Sequence, residues 1–181
     1  MPRNGSTLCS FPFAQACAPW QYAGLAERAI VQFKYHRHWK LGRWLAQAMA
    51  HTAHACLPLD TIEALVPVPS HWLKRCMRGF CPTQELSATL SAALKKPVLS
   101  GALRCTRLTM SQTRLSGLER MRNVQGAFKA QDAAVRRRAV LLIDDVLTSG
   151  ATVIACAEAL QSAGSGRIFV LTAARTPLVN R

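Results

Sequence analysis

Runs of apolar residues, separated by helical patterns, predict that strands and helices alternate along this chain. The runs predict strands at residues 62–66, 97–99, 139–143 and 167–172. Residues 139–143 are apolar throughout, which indicates a strand covered on both faces, as in a parallel sheet. The first strand should end near Val66, because Pro67 and Pro69 cannot lie in the hydrogen-bonded middle of a sheet. The pattern predicts an α/β fold with an open, mostly parallel sheet flanked by helices.

Apolar residues at helical spacing predict where the helices lie. Such spacing occurs at residues 26–33, 41–49, 86–94 and 153–160. Residues 1–19 show no regular period. We therefore expect residues 1–55 to form an N-terminal extension with two helices packed on the core. Residues 56–181 should form the principal domain, and the whole chain should be one compact unit.

The end of the strand at residues 139–143 carries the most informative chemistry. Asp144 and Asp145 follow it directly, and a short polar loop then opens a helix. Ligands of open α/β sheets bind beyond the carboxyl ends of strands, and a helix N-terminus offers backbone N–H groups to an anion. The predicted 5′-phosphate-binding residues are Thr148, Ser149, Gly150, Ala151 and Thr152. The alternative is a core strand that ends in a solvated acidic turn before a capped helix.

Composition makes the chain basic and excludes global disorder. Half of its residues are hydrophobic, and 23 Lys and Arg against 9 Asp and Glu give a net charge of +14. Such an excess favours an anionic partner such as a polyphosphate or nucleic acid. Residues 34–40 mix basic and aromatic side chains, which suits a nucleic-acid strand. The interpretation favoured for them is a solvated connection between helices whose aromatic side chains face the core.

The cysteines and the N-terminus indicate a cytoplasmic protein. Seven cysteines are scattered without C-x-x-C spacing, as expected of reduced thiols. Pro12 and Gln15 interrupt any apolar signal segment, so secretion is not expected. No run approaches the roughly 20 apolar residues of a membrane span, so no membrane insertion is expected.

Residues 144–152 resemble the motif that binds 5-phosphoribosyl-1-pyrophosphate (PRPP) in type I phosphoribosyltransferases. Further motifs resemble the ComF/GntX family of bacteria over about residues 19–175. They are Tyr22, Ile30 and Phe33-Lys34; Val66 to Pro69; Arg78-Gly-Phe80; and Leu103-Arg104, Arg107, Gln112, Leu115, Arg120, Asn123 and Gly126-Ala-Phe128. The resemblance implies a type I phosphoribosyltransferase-like fold, with residues 56–181 as the phosphoribosyltransferase-like domain.

The resemblance also implies roles for the charged residues. Asp144 and Asp145 would be catalytic, facing the ribose 2′- and 3′-hydroxyls, and Mg²⁺ would be bound through PRPP near them. The candidates for holding pyrophosphate, in the loop after the first strand and in a flap at residues 103–128, are Lys74, Arg75, Arg78, Arg104, Arg107 and Arg120. The family is associated with competence and with DNA uptake and utilisation. Single-stranded DNA and competence or replication helicases are the further partners that it suggests.

Two departures from the family pattern limit what can be transferred. The usual N-terminal four-cysteine zinc module has at most Cys9 as a remnant, through a truncated start or loss of the module, so zinc is not expected. Cys81 replaces the asparagine that usually follows Arg-Gly-Phe.

Three functions remain open from the sequence. The protein is a PRPP-dependent phosphoribosyltransferase of unknown acceptor, a PRPP- or nucleotide-sensing regulator without catalysis, or a single-stranded-DNA accessory module.

Overall fold

A computed structural model describes residues 11–36, 38–70, 79–107 and 124–176. The strands are β1 (Gln15–Cys17), β2 (Trp20–Gln21), β3 (Ala64–Pro67), β4 (Leu103–Cys105), β5 (Phe128–Ala130), β6 (Val140–Leu147) and β7 (Ile168–Arg175). The helices are α1 (Gly24–His36), α2 (Trp39–Cys56), α3 (Pro82–Leu94), α4 (Asp132–Val135) and α5 (Ala151–Ser162).

The larger sheet is parallel between all of its paired strands. Its order is β1-β7-β6-β3, and β2 also pairs with β7. The strand expected at residues 97–99 is present as a single parallel bridge between Val98 and Leu65. Strands β4 and β5 form a separate antiparallel pair. The predicted α/β class with an open, mostly parallel sheet is confirmed.

Helices cover the sheet on two faces, and successive side chains of β6 point alternately to one face and the other. Leu141 and Ile143 belong to a core cluster shared with α1, α2 and α3. Val140 and Leu142 belong to a second cluster, which contains the buried side chains of α5 and of the β4–β5 pair. This alternation follows from the two-residue period of a strand, and burial on both faces explains why the strand is apolar throughout.

One strand is longer than expected, and another lies where no strand was expected. β6 continues through the acidic pair to Leu147, because β7 pairs with it as far as Arg175 and satisfies its backbone. β1 lies in the region expected to be irregular and pairs with the edge of β7. A strand of three residues is too short to show a hydrophobic period.

The predicted N-terminal helices are present and pack on the core. The contact between them is close at Gly42, where an added Cβ would lie 2.5 Å from Cε2 of Phe33. β1 and β2 join the same sheet as the later strands. The division of the chain at residue 55 stays a prediction. Within the part of the chain that the structure describes, no helix is long and apolar enough to span a bilayer.

Candidate ligand site at the ends of β3 and β6

The connections that follow β3 and β6 leave the sheet on opposite faces. The chain runs from β3 to α3, which packs with α1 and α2, and from β6 to α5 on the other face. Neighbouring parallel strands whose connections diverge leave a crevice beyond their carboxyl ends, and ligands of open α/β sheets bind there. β3 ends at Pro67, opposite Ile143, so β6 continues along one wall of this crevice. The topology thus locates a candidate site without reference to any motif.

Asp144 and Asp145 lie on β6 at this point and extend toward opposite faces, as neighbouring strand residues do. Asp144 is buried on the α5 side, where burial and the carboxylate of Asp144 raise the pKa of the Cys156 thiol. Asp145 lies on the α1 side, where its Oδ1 is 2.8 Å from Nζ of Lys34. The backbone N–H of Asp145 donates to Oδ1 of Asp144 at 2.8 Å. The two carboxyl groups therefore straddle the strand at the crevice.

The environment of Asp144 favours its protonated form. Burial and the neighbouring Asp145 carboxylate raise the pKa of Asp144 to about 8, against the opposing effects of Lys34 and the Asp145 N–H. Near neutral pH this carboxyl group can thus donate a hydrogen bond, whereas Asp145, paired with Lys34, can accept one. The two acids therefore offer unequal chemistry to a ligand.

We expect the Asp144 proton to make stability depend on pH. The pKa of Asp144 is raised on folding from 3.8 to about 8. The contribution of the protonated side chain to the free energy of unfolding is therefore complete below pH 3.8 and is lost as pH rises through about 8. The slope is about tenfold in the folding equilibrium per pH unit between these values. Asp144→Asn mimics the neutral acid, so urea unfolding should find it more stable than wild type near pH 9 and similar near pH 4. Equal pH dependence of the two proteins would contradict this assignment.

The loop from Thr148 to Thr152 begins α5 as expected. Gly150 precedes the helix in the left-handed conformation, with φ of 77°, which most side chains avoid. The hydroxyl of Ser149 accepts from the N–H of Ala151 at 3.5 Å, the limit of hydrogen-bond distance. A small open depression is lined by Asp144 and by Thr148, Gly150, Ala151 and Thr152, but not by Ser149 or Asp145. A helix N-terminus beside a hydroxyl-rich loop suits a phosphate.

The structure also identifies site residues that the sequence did not single out for this role. Thr176 supports the loop, since its N–H donates to the Leu147 carbonyl at 2.9 Å and its hydroxyl to the Thr148 carbonyl at 3.1 Å. Lys34 contacts Asp145 although it was assigned to the basic-aromatic segment 34–40. The available signal was its place directly after Phe33, in a motif shared with the resembling family. Thr176 carried no comparable signal.

Of the basic residues predicted to hold pyrophosphate, the structure describes Arg104 and Arg107. Arg104 on β4 and Arg107 just after it are exposed, and Nη2 of Arg107 donates to the Gln125 carbonyl at 2.9 Å. Both lie on the α5 side, because the β4–β5 pair shares its core cluster with that helix. Their role stays a prediction. The other predicted cations lie outside the described residues: Lys74, Arg75, Arg78 and Arg120.

The acidic pair suits a Mg²⁺ that arrives with a ligand. Among the described residues, no three His, Cys, Asp or Glu side chains cluster as a metal site would require. Mg²⁺ is usually bound through one or two carboxylates together with substrate phosphates. The Asp145 carboxylate fits that arrangement, since the phosphates would complete the coordination, whereas Asp144 would have to release its proton to take part.

Sheet order, crevice and loop define an open α/β protein with an acidic pair and a helix N-terminus at its ligand edge. No protein-family model matches the chain. It is 30% identical over 154 residues to Competence protein F of Haemophilus influenzae, covering 81% of this chain and 66% of that protein. It is 31% identical over 187 residues to DNA utilization protein YhgH of Escherichia coli K12, covering 97% of this chain and 82% of the relative. The chain belongs to the ComF family, which these relatives represent.

Two solved structures overlap with this fold in part. One is the allosteric regulatory enzyme of purine biosynthesis, with a TM-score of 0.47 and 17% identity over 82% of this chain and 25% of the other. The second is glutamine PRPP amidotransferase from B. subtilis, with a TM-score of 0.45 and 18% identity over 80% of this chain and 25% of the other. Because both scores are low, the α/β assignment rests on the sheet order described above.

Proposed function

We propose that this protein binds PRPP with Mg²⁺ in the crevice and transfers its phosphoribosyl group to an acceptor. One observation carries the proposal: the acidic pair lies on β6 two residues before the α5 loop, at the point where the connections of β3 and β6 diverge. A phosphorylated ribose has a diol and a phosphate at opposite ends. The site offers an acidic pair and a helix N-terminus at the corresponding places.

The diol would lie in the crevice beside residues 144 and 145 of β6, so that each hydroxyl meets one of the two acids. Asp145 N–H occupies Oδ1 of Asp144, and Lys34 occupies Oδ1 of Asp145. The second oxygen of each carboxyl group is then the natural partner of a ribose hydroxyl. Asp145 would accept a hydrogen bond, while protonated Asp144 can donate one or accept one.

The 5′-phosphate would occupy the depression at the start of α5. There the backbone N–H groups of the first turn and the positive end of the helix dipole favour an anion. The side chains of Thr148 and Thr152 add hydroxyl donors. The weak Ser149–Ala151 hydrogen bond would give way to a phosphate oxygen, because charge-assisted bonds are stronger than neutral ones.

Transfer would proceed through a ribose with oxocarbenium character, as in glycoside chemistry. Mg²⁺ held by PRPP would neutralise the departing pyrophosphate. The Asp145 carboxylate would stabilise positive charge on the sugar. Arg104 and Arg107, together with the cations predicted in the loop after β3, would bind the leaving group. The names of the relatives support a role in competence and DNA utilisation. The location in the cytoplasm is part of the proposal.

The experiment is calorimetry of PRPP in the presence of Mg²⁺, followed by a pyrophosphate-release screen with nucleobases and amines as acceptors. Binding followed by pyrophosphate release supports the transferase. Binding without release for any acceptor would favour the sensing regulator. If the wild-type protein does not bind PRPP, the proposed function is wrong.

We also propose single-stranded DNA as a second ligand, because aromatic and basic side chains alternate on the exposed part of α2. The aromatic residues of segment 34–40, Tyr35 and Trp39, are 60% and 48% exposed, so the expectation that they face the core is wrong in large part. Trp44, also on α2, is 47% exposed. Trp39 packs edge-on against Phe80, which holds it in place. Arg43 and Lys40 are exposed and lie one helical turn from Trp39 and Trp44 respectively. Each indole thus has a neighbouring cation. Trp44 already stacks on Trp20 at a centroid distance of 4.5 Å, so bases would stack on Trp39 and on the other face of Trp44.

Trp39→Ala with Trp44→Ala is expected to weaken binding of an oligothymidine by about 1–3 kcal/mol per stacked base. Fluorescence anisotropy in increasing salt measures it, and wild-type affinity should fall steeply with salt. Phe11→Ala is the matched control, because this aromatic side chain is 57% exposed and lies elsewhere. An affinity unchanged in the double variant would refute the second function.

A further inference from the structure

The ion pair between Lys34 and Asp145 connects the N-terminal extension to the ligand crevice. Nζ of Lys34 is 2.8 Å from Oδ1 of Asp145, and the two side chains are 18% and 15% exposed. Most surface ion pairs are solvated and contribute little, but shielding on this scale strengthens the attraction and restricts both side chains. The pair therefore fixes the orientation of Asp145.

The packing of α1 explains how Lys34 reaches β6. The preceding residue, Phe33, is fully buried and contacts the edge of Phe80 at a centroid distance of 5.7 Å. The same ring lies against Gly42, where no side chain stands between α1 and α2. This contact sets the position of the last turn of α1, so Lys34 is held at the crevice by the core.

The charges around the pair favour a specific role for the lysine. Asp145 is a partly buried acid, and burial disfavours the charged form of a carboxyl group unless a cation lies nearby. Among the ion pairs of the described residues, Lys34 is the cation that contacts Asp145. It stabilises the carboxylate and engages its Oδ1. The second oxygen of that carboxylate is then presented in a fixed direction.

We propose that Lys34 is a positioning residue for the ribose site, acting through Asp145 and not by contact with the ligand. The proposal rests on the proposed function, because it specifies how the acidic pair is prepared to receive the diol. It makes α1 a part of the site. The N-terminal extension would then be required for ligand binding as well as for stability.

The test compares PRPP affinity, in the presence of Mg²⁺, among variants whose folding is checked by circular dichroism and thermal unfolding. Lys34→Met keeps the length of the side chain and removes its charge, and we expect affinity to fall about tenfold or more. Lys34→Arg should restore most of the affinity, because it can still reach Asp145. Arg28→Met, an exposed cation on the same helix, is the control and should bind as wild type does. Should Lys34→Met fail to fold, Lys34→Gln replaces it.

A double-mutant cycle separates positioning from direct contact. If Lys34 acts through Asp145, adding Lys34→Met to Asp145→Asn should weaken binding no further. An equal loss in both backgrounds would mean that Lys34 touches the ligand itself, which overturns the positioning role. Wild-type affinity in Lys34→Met would overturn it as well. If the wild-type protein binds no PRPP, the proposed function fails and this inference with it. If the wild type binds PRPP and Lys34→Met binds it equally well, this inference alone fails.

Discussion

Replacing both Asp144 and Asp145 by asparagine is expected to lower the affinity for PRPP with Mg²⁺ by at least about a hundredfold while the fold remains intact. Asparagine keeps the size of each side chain but cannot carry the negative charge. The double variant therefore replaces the charge-assisted hydrogen bond of the Asp145 carboxylate by a weaker neutral one and loses the attraction for Mg²⁺. Near neutral pH, Asp145→Asn should account for most of the loss, because the pKa of Asp144 is raised to about 8 by burial and by Asp145.

Calorimetry of both single variants and the double variant measures this effect. The matched control is Asp60→Asn with Asp132→Asn, which removes two exposed carboxylates outside the crevice and therefore at least as much negative charge. The control should bind PRPP as wild type does. If the Asp144 and Asp145 double variant keeps its affinity for PRPP, the assignment of the ribose site to β6 is wrong.

Phe33→Ala is expected to lower the free energy of unfolding by about 3–5 kcal/mol. The ring is fully buried, contacts Phe80 and fills the space left by the absent side chain of Gly42. Its removal leaves a cavity between α1 and α2 that a helix pair anchored on a sheet can close only in part. Urea unfolding monitored by circular dichroism measures the change.

Leu25→Ala is the control for this prediction. Leu25 lies on the same helix and is 82% exposed, so its truncation should change stability by no more than about 0.5 kcal/mol. Equal effects of the two substitutions would mean that α1 does not depend on the core for its position. The claim that the packing of Phe33 holds Lys34 at the crevice would then be wrong.

The sequence predicted those features that depend on neighbouring residues. The run at residues 139–143, the amphipathic helices and the glycine loop before α5 each carry a local pattern, and each has the expected structure. The end of β6 was placed too early, because polar residues can continue a strand when a partner such as β7 satisfies the backbone. The residues around the end of β6 do not show how far β7 pairs with it.

The features that escaped prediction depend on residues distant in the sequence. Lys34 and Asp145 belong to the two ends of the chain, and only the packing of α1 against the sheet brings them together. The unequal environments of Asp144 and Asp145 likewise arise from the faces that α5 and α1 cover. Two identical neighbouring residues give no sign in the sequence that their environments differ.

The separation of the core into two clusters has a consequence for how this protein can diversify. One wall of the crevice is supported by the helices next to β3, and the opposite wall by α5 and the small antiparallel pair. Substitutions that reshape one wall leave the packing beneath the other intact. If the proposed function holds, descendants of one ancestor can change the wall that meets the acceptor while the wall that binds the sugar stays intact.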